Sequence, residues 1–195
     1  MANLSAKYWE QRYVDKNTGW DVGEIVPQWK VHFDDLACHS KEKRILIPGA
    51  GLGHEAEYLH HLGFKDVHVL DWSPTALERF KERIPSFPDS HCHVGDFFIH
   101  KGSYDIIIEQ TFFCAIDPNL RQEYVSTIDS LLEKDGIWAA LLFNCVFEHE
   151  GPPFGGLIEL YIDLFKGIFK ELIIDEEPAS IDPRKGREVF LIGRK

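Results

Sequence analysis

Basic residues are in short supply. Lys and Arg number 21 against 32 Asp and Glu, a formal net charge of −11 over 195 residues. A nucleic-acid backbone needs a basic face, so nucleic acid is not an expected partner. Cysteine is scarce too: Cys38, Cys92, Cys114 and Cys145 form no CxxC pair. Reduced thiols are expected rather than a disulfide framework. No apolar run approaches ~18 residues, so no segment is expected to span a membrane. The opening residues, Met1 to Lys7, lack a signal-peptide core, which makes a cytoplasmic protein the expectation. Linkers, repeats and low-complexity tracts are missing as well. One domain over residues 1–195 is therefore expected, and a monomer with it.

What is present is a regular alternation. Short β-branched or apolar runs cover Lys43–Pro48, Val67–Asp71, His91–Gly95, Tyr104–Glu109, Gly136–Asn144, Phe169–Asp175 and Arg187–Gly193. Continuous apolar runs of this length suit strands covered on both faces. Helical patterns lie between them, at His54–Leu62, Ser73–Ile84, Asn119–Leu132 and Gly156–Ile168. Ser73 suits an N-cap with Pro74 at the first helical position. Asp135-Gly136 reads as the stop after Leu132. The expectation is an α/β fold, a mostly parallel seven-stranded sheet with helices on both faces. Two further helices, about Leu4–Tyr13 and Pro27–Cys38, precede the first strand. They are expected to form an N-terminal helical cap (1–40), a lid or side wall on an α/β core (41–195).

The first strand runs into Gly49-Ala50-Gly51-Leu52-Gly53-His54-Glu55. Glycines there permit positive φ and close approach of a ligand to the backbone. Asp71 ends the second strand, about 20 residues on, where an acid can accept from both ribose hydroxyls of an adenosine. Two ligands fit, a dinucleotide and S-adenosylmethionine. A dinucleotide fingerprint would place its last glycine at His54, and Glu55 would repel a pyrophosphate at the helix start. S-adenosylmethionine, with S-adenosylhomocysteine as its product, is the favoured cofactor. Gly95 and Asp96, before Phe97 and Phe98, suit an adenine amino group and ring face. Gln110 is the polar residue after the fourth strand and is expected to face the methionine or adenine portion.

The chain resembles the thiopurine S-methyltransferase family, and its halide/thiol methyltransferase branch in particular. The segments carrying the resemblance are Tyr8–Tyr13, Gly19–Gly23, Ile47–Gly51, Leu70–Ser73, Thr111–Ile116 with Arg121, Gly151–Phe154 and Pro183–Glu188. It implies a Rossmann-like class I methyltransferase with Trp9, Tyr13 and Trp20 wrapping the cofactor. It implies Gly49, with Gly51 in the same loop, at the methionine end and Asp71, beside Trp72, at the ribose. Gly95 and Asp96 would meet the adenine, Gln110 would line the pocket and Arg121 would lie near the acceptor. Gln110 stands where plant halide enzymes of this group carry a tyrosine.

Methyl transfer from a sulfonium is an in-line displacement, and a soft nucleophile needs little base help. A thiol, hydrosulfide, halide or thiopurine acceptor would suit an apolar pocket of Trp20, Phe112, Phe113 and Phe154. Local cations, from Arg121, Arg184 or Arg187, would offset the acidic surface. Asp21 either orders a water or the acceptor, or caps the helix near Pro27. Cys114 reads as a buried structural thiol. His60, His61, His91, His93 and His149 show no zinc spacing, so surface histidines and no metal are expected. The competing readings are a nicotinamide-dependent oxidoreductase and a non-catalytic cofactor-binding module.

Overall fold

The computed structural model describes residues 4–39 and 41–195. Met1, Ala2, Asn3 and Ser40, at the two ends of the expected cap, lie outside the described residues. The chain divides into two units, one reaching to His100 and the other running Lys101–Lys195.

The first unit holds α1 (Ala6–Val14), α2 (Pro27–His39), β1 (Arg44–Pro48), α3 (His54–His61), β2 (Asp66–Asp71), α4 (Pro74–Arg83) and β3 (Cys92–Val94). Its strands run β3-β2-β1, all parallel, with Ile45 opposite Val67 and Val69 opposite Cys92. Ile45 to Pro48 are all buried, as a strand covered on both faces requires. Ser73 caps α4 as its sequence predicts: its hydroxyl accepts from the Ala76 amide at 3.0 Å, with Pro74 in the first turn. α1 packs on α4, and α2 on α3. Trp29 and Phe33 of α2 are fully buried and stack at 5.3 Å. These aromatics of α2 thus belong to the core of the unit.

The second unit holds β4 (Tyr104–Gln110), α5 (Arg121–Leu131), β5 (Leu132–Phe143), α6 (Ile158–Phe165), β6 (Glu171–Asp175) and β7 (Glu188–Arg194). Their order is β4-β5-β7-β6; β4 and β5 are parallel, and β7 is antiparallel to both its neighbours. Trp138 anchors its core, 4.2 Å from Phe165 and stacked at 5.6 Å on Phe169. One boundary differs from the sequence expectation. α5 ends at Leu131 and the chain enters β5 at Leu132 without a glycine stop. Asp135 and Gly136 instead make an irregularity in the β4–β5 ladder, whose pairing jumps from Tyr104–Leu132 to Ile106–Ile137. A Cβ at Gly136 would sit 2.9 Å from the Glu133 carbonyl oxygen, so glycine serves the bulge rather than a helix end. Among the described residues no helix is long and apolar enough to cross a membrane.

Candidate cofactor site

β1 delivers the chain into a loop where Gly49, Gly51 and Gly53 all take positive φ, +60°, +54° and +69°. The loop is tied to the end of β2. The Ala50 amide donates to the Leu70 carbonyl at 3.2 Å, and the Gly51 amide donates to Asp71 Oδ2 at 2.8 Å. Asp71 Oδ1 takes the Ser73 amide at 2.8 Å. Both carboxylate oxygens thus take backbone donors, and with the Trp72 amide as a third, acceptor capacity remains for a ligand. Burial raises the Asp71 pKa, amides from Ser73, Gly51 and Trp72 pull it back, and Glu10 adds to the rise. Glu55, in the first turn of α3, is buried. A diphosphate at that helix start would meet this carboxylate.

The N-terminal residues meet this loop directly. Tyr13 is 5% exposed, and a Cβ on Gly51 would lie 2.5 Å from its phenol oxygen. Glycine at 51 therefore serves both the left-handed turn and the approach of Tyr13. Burial and the nearby Asp71 raise the Tyr13 pKa, and a hydrogen bond with the Trp20 side chain works the other way. Trp20 meets Trp9 edge-on at 5.5 Å and Tyr13 at 5.8 Å, and the Arg12 guanidinium lies 5.0 Å from its ring. Trp9 and Trp20 keep partial exposure, whereas Tyr13 is buried against Gly51. Asp21 does not cap α2. Its Oδ1 accepts from the Gly23 amide at 2.9 Å and lies 2.9 Å from His54 Nε2 at the start of α3. His54, absent from the dinucleotide pattern, thereby ties the Gly19–Gly23 segment to the glycine loop.

Glu10 is a member of this site that sequence spacing does not point to. It reaches from α1 to the start of α4, accepting from the Ser73 and Thr75 hydroxyls, each at 2.5 Å. Burial pushes its pKa up, but the bonds from Ser73 and Thr75, with Arg79 nearby, outweigh that and hold it below the usual value. A carboxylate lowered on folding stabilises the fold above its unfolded pKa, and that contribution is lost as pH falls through the folded one. Wild type is therefore expected to exceed Glu10→Gln in Tm at neutral pH. The gap should close as pH drops below the ordinary value of 4.5. A melting series on both proteins checks this, and a gap unchanged down to about pH 3 would contradict it.

The adenine candidates follow from β3. The Gly95 amide donates to the Asp71 carbonyl at 2.9 Å, placing the two strand ends side by side. Asp96 Oδ1 caps the following 3-10 turn through the Phe98 amide at 2.9 Å. Trp72 is half-buried beside Asp71.

The second unit holds the remaining candidates. Gln110 ends β4 and is half-buried. Arg121 is 7% exposed; it donates to the carbonyls of Gly155 at 2.9 Å and Phe154 at 3.4 Å, and lies over the Phe113 ring at 4.8 Å. It holds the Gly151–Phe154 segment, whose Phe154 amide also donates to the Cys114 carbonyl at 2.7 Å. Burial lowers the Arg121 pKa. Phe113, expected in the apolar pocket, is 1% exposed and meets Tyr124 and Tyr161 edge-on. Arg184 pairs with Glu188 at 3.6 Å, and Arg187 covers Phe147 at 4.9 Å. Cys114 is buried, and burial raises its thiol pKa, as a structural thiol requires.

Two features escape the sequence pattern. Glu109, fully buried, organises the Thr111–Cys114 turn. The histidines are not all surface groups: His68 is buried, and His60, His91 and His93 are half-buried. A histidine inside an otherwise apolar strand, Val67-His68-Val69, was the available signal.

Residues 4–188 match the sequence family described as Thiopurine S-methyltransferase (TPMT). Thiocyanate methyltransferase 1 of Brassica oleracea is 32% identical over 186 residues, 92% of this chain and 81% of that protein. Thiopurine S-methyltransferase of Photobacterium profundum is 22% identical over 199 residues, 93% of this chain and 92% of its own. The crystal structure of N-methyltransferase NodS from Bradyrhizobium japonicum WM9, in complex with S-adenosyl-L-homocysteine, superposes with a TM-score of 0.71 at 14% identity. It covers 97% of this chain and 98% of the other. At that identity the likeness shows the fold alone, the seven-stranded, mostly parallel sheet with helices of a class I methyltransferase. With a glycine loop pinned to a strand-end acid and a family match over nearly its whole length, the chain belongs to the thiopurine S-methyltransferase family of methyltransferases.

Proposed function

We propose that the chain uses S-adenosylmethionine to methylate a small soft nucleophile, a thiol, hydrosulfide, halide or thiopurine sulfur. The observation that carries the reading is Asp71, buried at the end of β2 and bonded to the Gly51 amide of the positive-φ loop. An acceptor-only carboxylate held by backbone amides fits a ribose diol. When bound, S-adenosylmethionine supplies a methyl group already activated by a positive sulfur.

The residues of this chain bind and orient. Asp71, with Trp72 beside it, takes the ribose; Gly49 and Gly51 take the methionine end. Gly95 and Asp96 take the adenine, and Trp9, Tyr13 and Trp20 exclude water. Gln110 lines the pocket by resemblance. Asp21, held by His54, orders the acceptor side. Arg121 is a positioning residue in this reading, since its guanidinium is engaged by the carbonyls of Phe154 and Gly155. A soft nucleophile ionises or is anionic near neutral pH, so desolvation and alignment supply most of the rate. We take residues 1–195 as one cytoplasmic, monomeric methyltransferase domain, with 1–40 as the cap on 41–195. Glu55 disfavours the nicotinamide alternative by repelling a diphosphate at α3.

The test is a headspace assay with S-adenosylmethionine and, in parallel, hydrosulfide, iodide, thiocyanate and a thiopurine. Methylated product from at least one, with stoichiometric S-adenosylhomocysteine, is expected. Cofactor binding without turnover on any of them would leave only the non-catalytic reading.

A further inference from the structure

At the end of β2 opposite Asp71, ligating side chains converge. Asp66 opens β2 and His68 follows two residues later, so both lie on one face of the strand. His91 closes the 3-10 turn before β3, and His93 lies in β3 beside Leu70 of β2. Asp66 Oδ1 is 2.7 Å from His68 Nε2 and 3.9 Å from His91 Nε2. One ligating atom from each of the three falls within 4.8 Å of the other two. The His68 and His91 rings stack at 4.2 Å, with planes 26° apart.

The hydrogen bonds set which nitrogens face this point. His91 Nδ1 lies 3.1 Å from the Val67 carbonyl oxygen. A carbonyl only accepts, so Nδ1 carries the proton and Nε2 presents its lone pair toward Asp66. Two acceptors 3.9 Å apart are satisfied by a cation between them. His68 can match this. Its Nδ1 lies 2.9 Å from His93 Nε2. With the proton of each ring on Nδ1, His68 donates to His93 and turns its own Nε2 lone pair to the same point. Each ring keeps one proton, and His93 becomes the outer partner that orients a ligating imidazole. Burial pushes the His68 pKa down to about 4, and burial lowers those of His93 and His100 as well. Neutral imidazole is the ligating form. Arg44 opposes a cation: its Nε lies 3.9 Å from Asp66 Oδ2.

We propose that Asp66, His68 and His91 form a binding site for a divalent transition-metal ion of the zinc class. Two imidazole nitrogens and a carboxylate oxygen suit such an ion, with the remaining position open to solvent. The six residues of β2 set Asp66 about 16 Å from Asp71. The ion would be a clip between β2 and the segment entering β3, independent of the cofactor reading.

The test is a Zn(II) titration of chelator-stripped protein against a chromophoric chelator, followed by a melting curve. One equivalent bound at micromolar Kd or tighter is expected, with a Tm rise of about 5 °C or more when saturated. His91→Ala and Asp66→Asn should each weaken binding roughly tenfold or more, and Arg44→Gln should tighten it. His91 is partly exposed, so its removal should leave the fold intact even where His68→Ala does not. The double variant His60→Ala/His61→Ala should bind as wild type, and S-adenosylhomocysteine affinity should not move in any variant. Zn(II) affinity unchanged by His91→Ala, or lost in the His60/His61 variant, would overturn the site.

Discussion

Asp71→Asn is expected to weaken S-adenosylhomocysteine binding by about a hundredfold, with Tm changed by no more than a few degrees. The carboxylate is the acceptor for a ribose diol in the proposed site, and hydrogen bonds to a charged group are worth about 1.5–3 kcal/mol each. Losing the charge and one acceptor removes about 3 kcal/mol, which is about a hundredfold in Kd. Stability responds differently. Burial raises the Asp71 pKa on folding, so its ionised form costs stability above the folded pKa and the cost is relieved as pH falls. Asparagine removes that cost while placing its side-chain amide NH2, a donor, against the N–H of Gly51 or Ser73. The two changes offset in Tm but not in binding. Calorimetry with S-adenosylhomocysteine, beside a melting curve, separates them. Binding within threefold of wild type would remove Asp71 from the cofactor site.

Glu109→Ala is expected to destabilise the second unit by about 3–5 kcal/mol, the largest stability effect of any single substitution discussed. Glu109 is fully buried. Its Oε1 accepts from the amides of Phe112 at 3.0 Å and Phe113 at 2.9 Å, and its Oε2 accepts from the Tyr124 hydroxyl at 3.0 Å. Trp138 Nε1 in turn donates to Tyr124 at 3.1 Å. Alanine strands two amides and a hydroxyl without acceptors in a dry core and opens a cavity beside Phe113. It also frees the turn in which Thr111 is held at φ +59°. Glu109→Gln keeps one acceptor and should cost about 1–2 kcal/mol. Urea unfolding of the three proteins measures the series. Glu109→Ala within about 1 kcal/mol of wild type would show that these bonds carry no net stability.

Much of this architecture is written locally. Ser73-Pro74 starts α4, the apolar runs mark the strands, and the Gly49–Gly53 spacing marks the positive-φ turn between β1 and α3. These signals act within one turn, one strand or one loop, where spacing alone sets which groups meet. Asp135-Gly136 misled for a related reason. The same dipeptide serves a helix stop or a bulge, and only the strand beside it decides between them.

What tertiary structure decided was pairing across distance. Glu10 finds Ser73 and Thr75 more than 60 residues away, Asp21 finds His54, Arg121 finds the Phe154 and Gly155 carbonyls, and His68 finds His91 and His93. Hydrogen bonds and ligand sets are short-ranged, so they exist only after packing has brought their partners to about 3 Å. The chain by itself determined where strands, helices and the glycine turn form. Folding determined which polar groups among them become one site, because burial takes water away and leaves protein groups to satisfy one another.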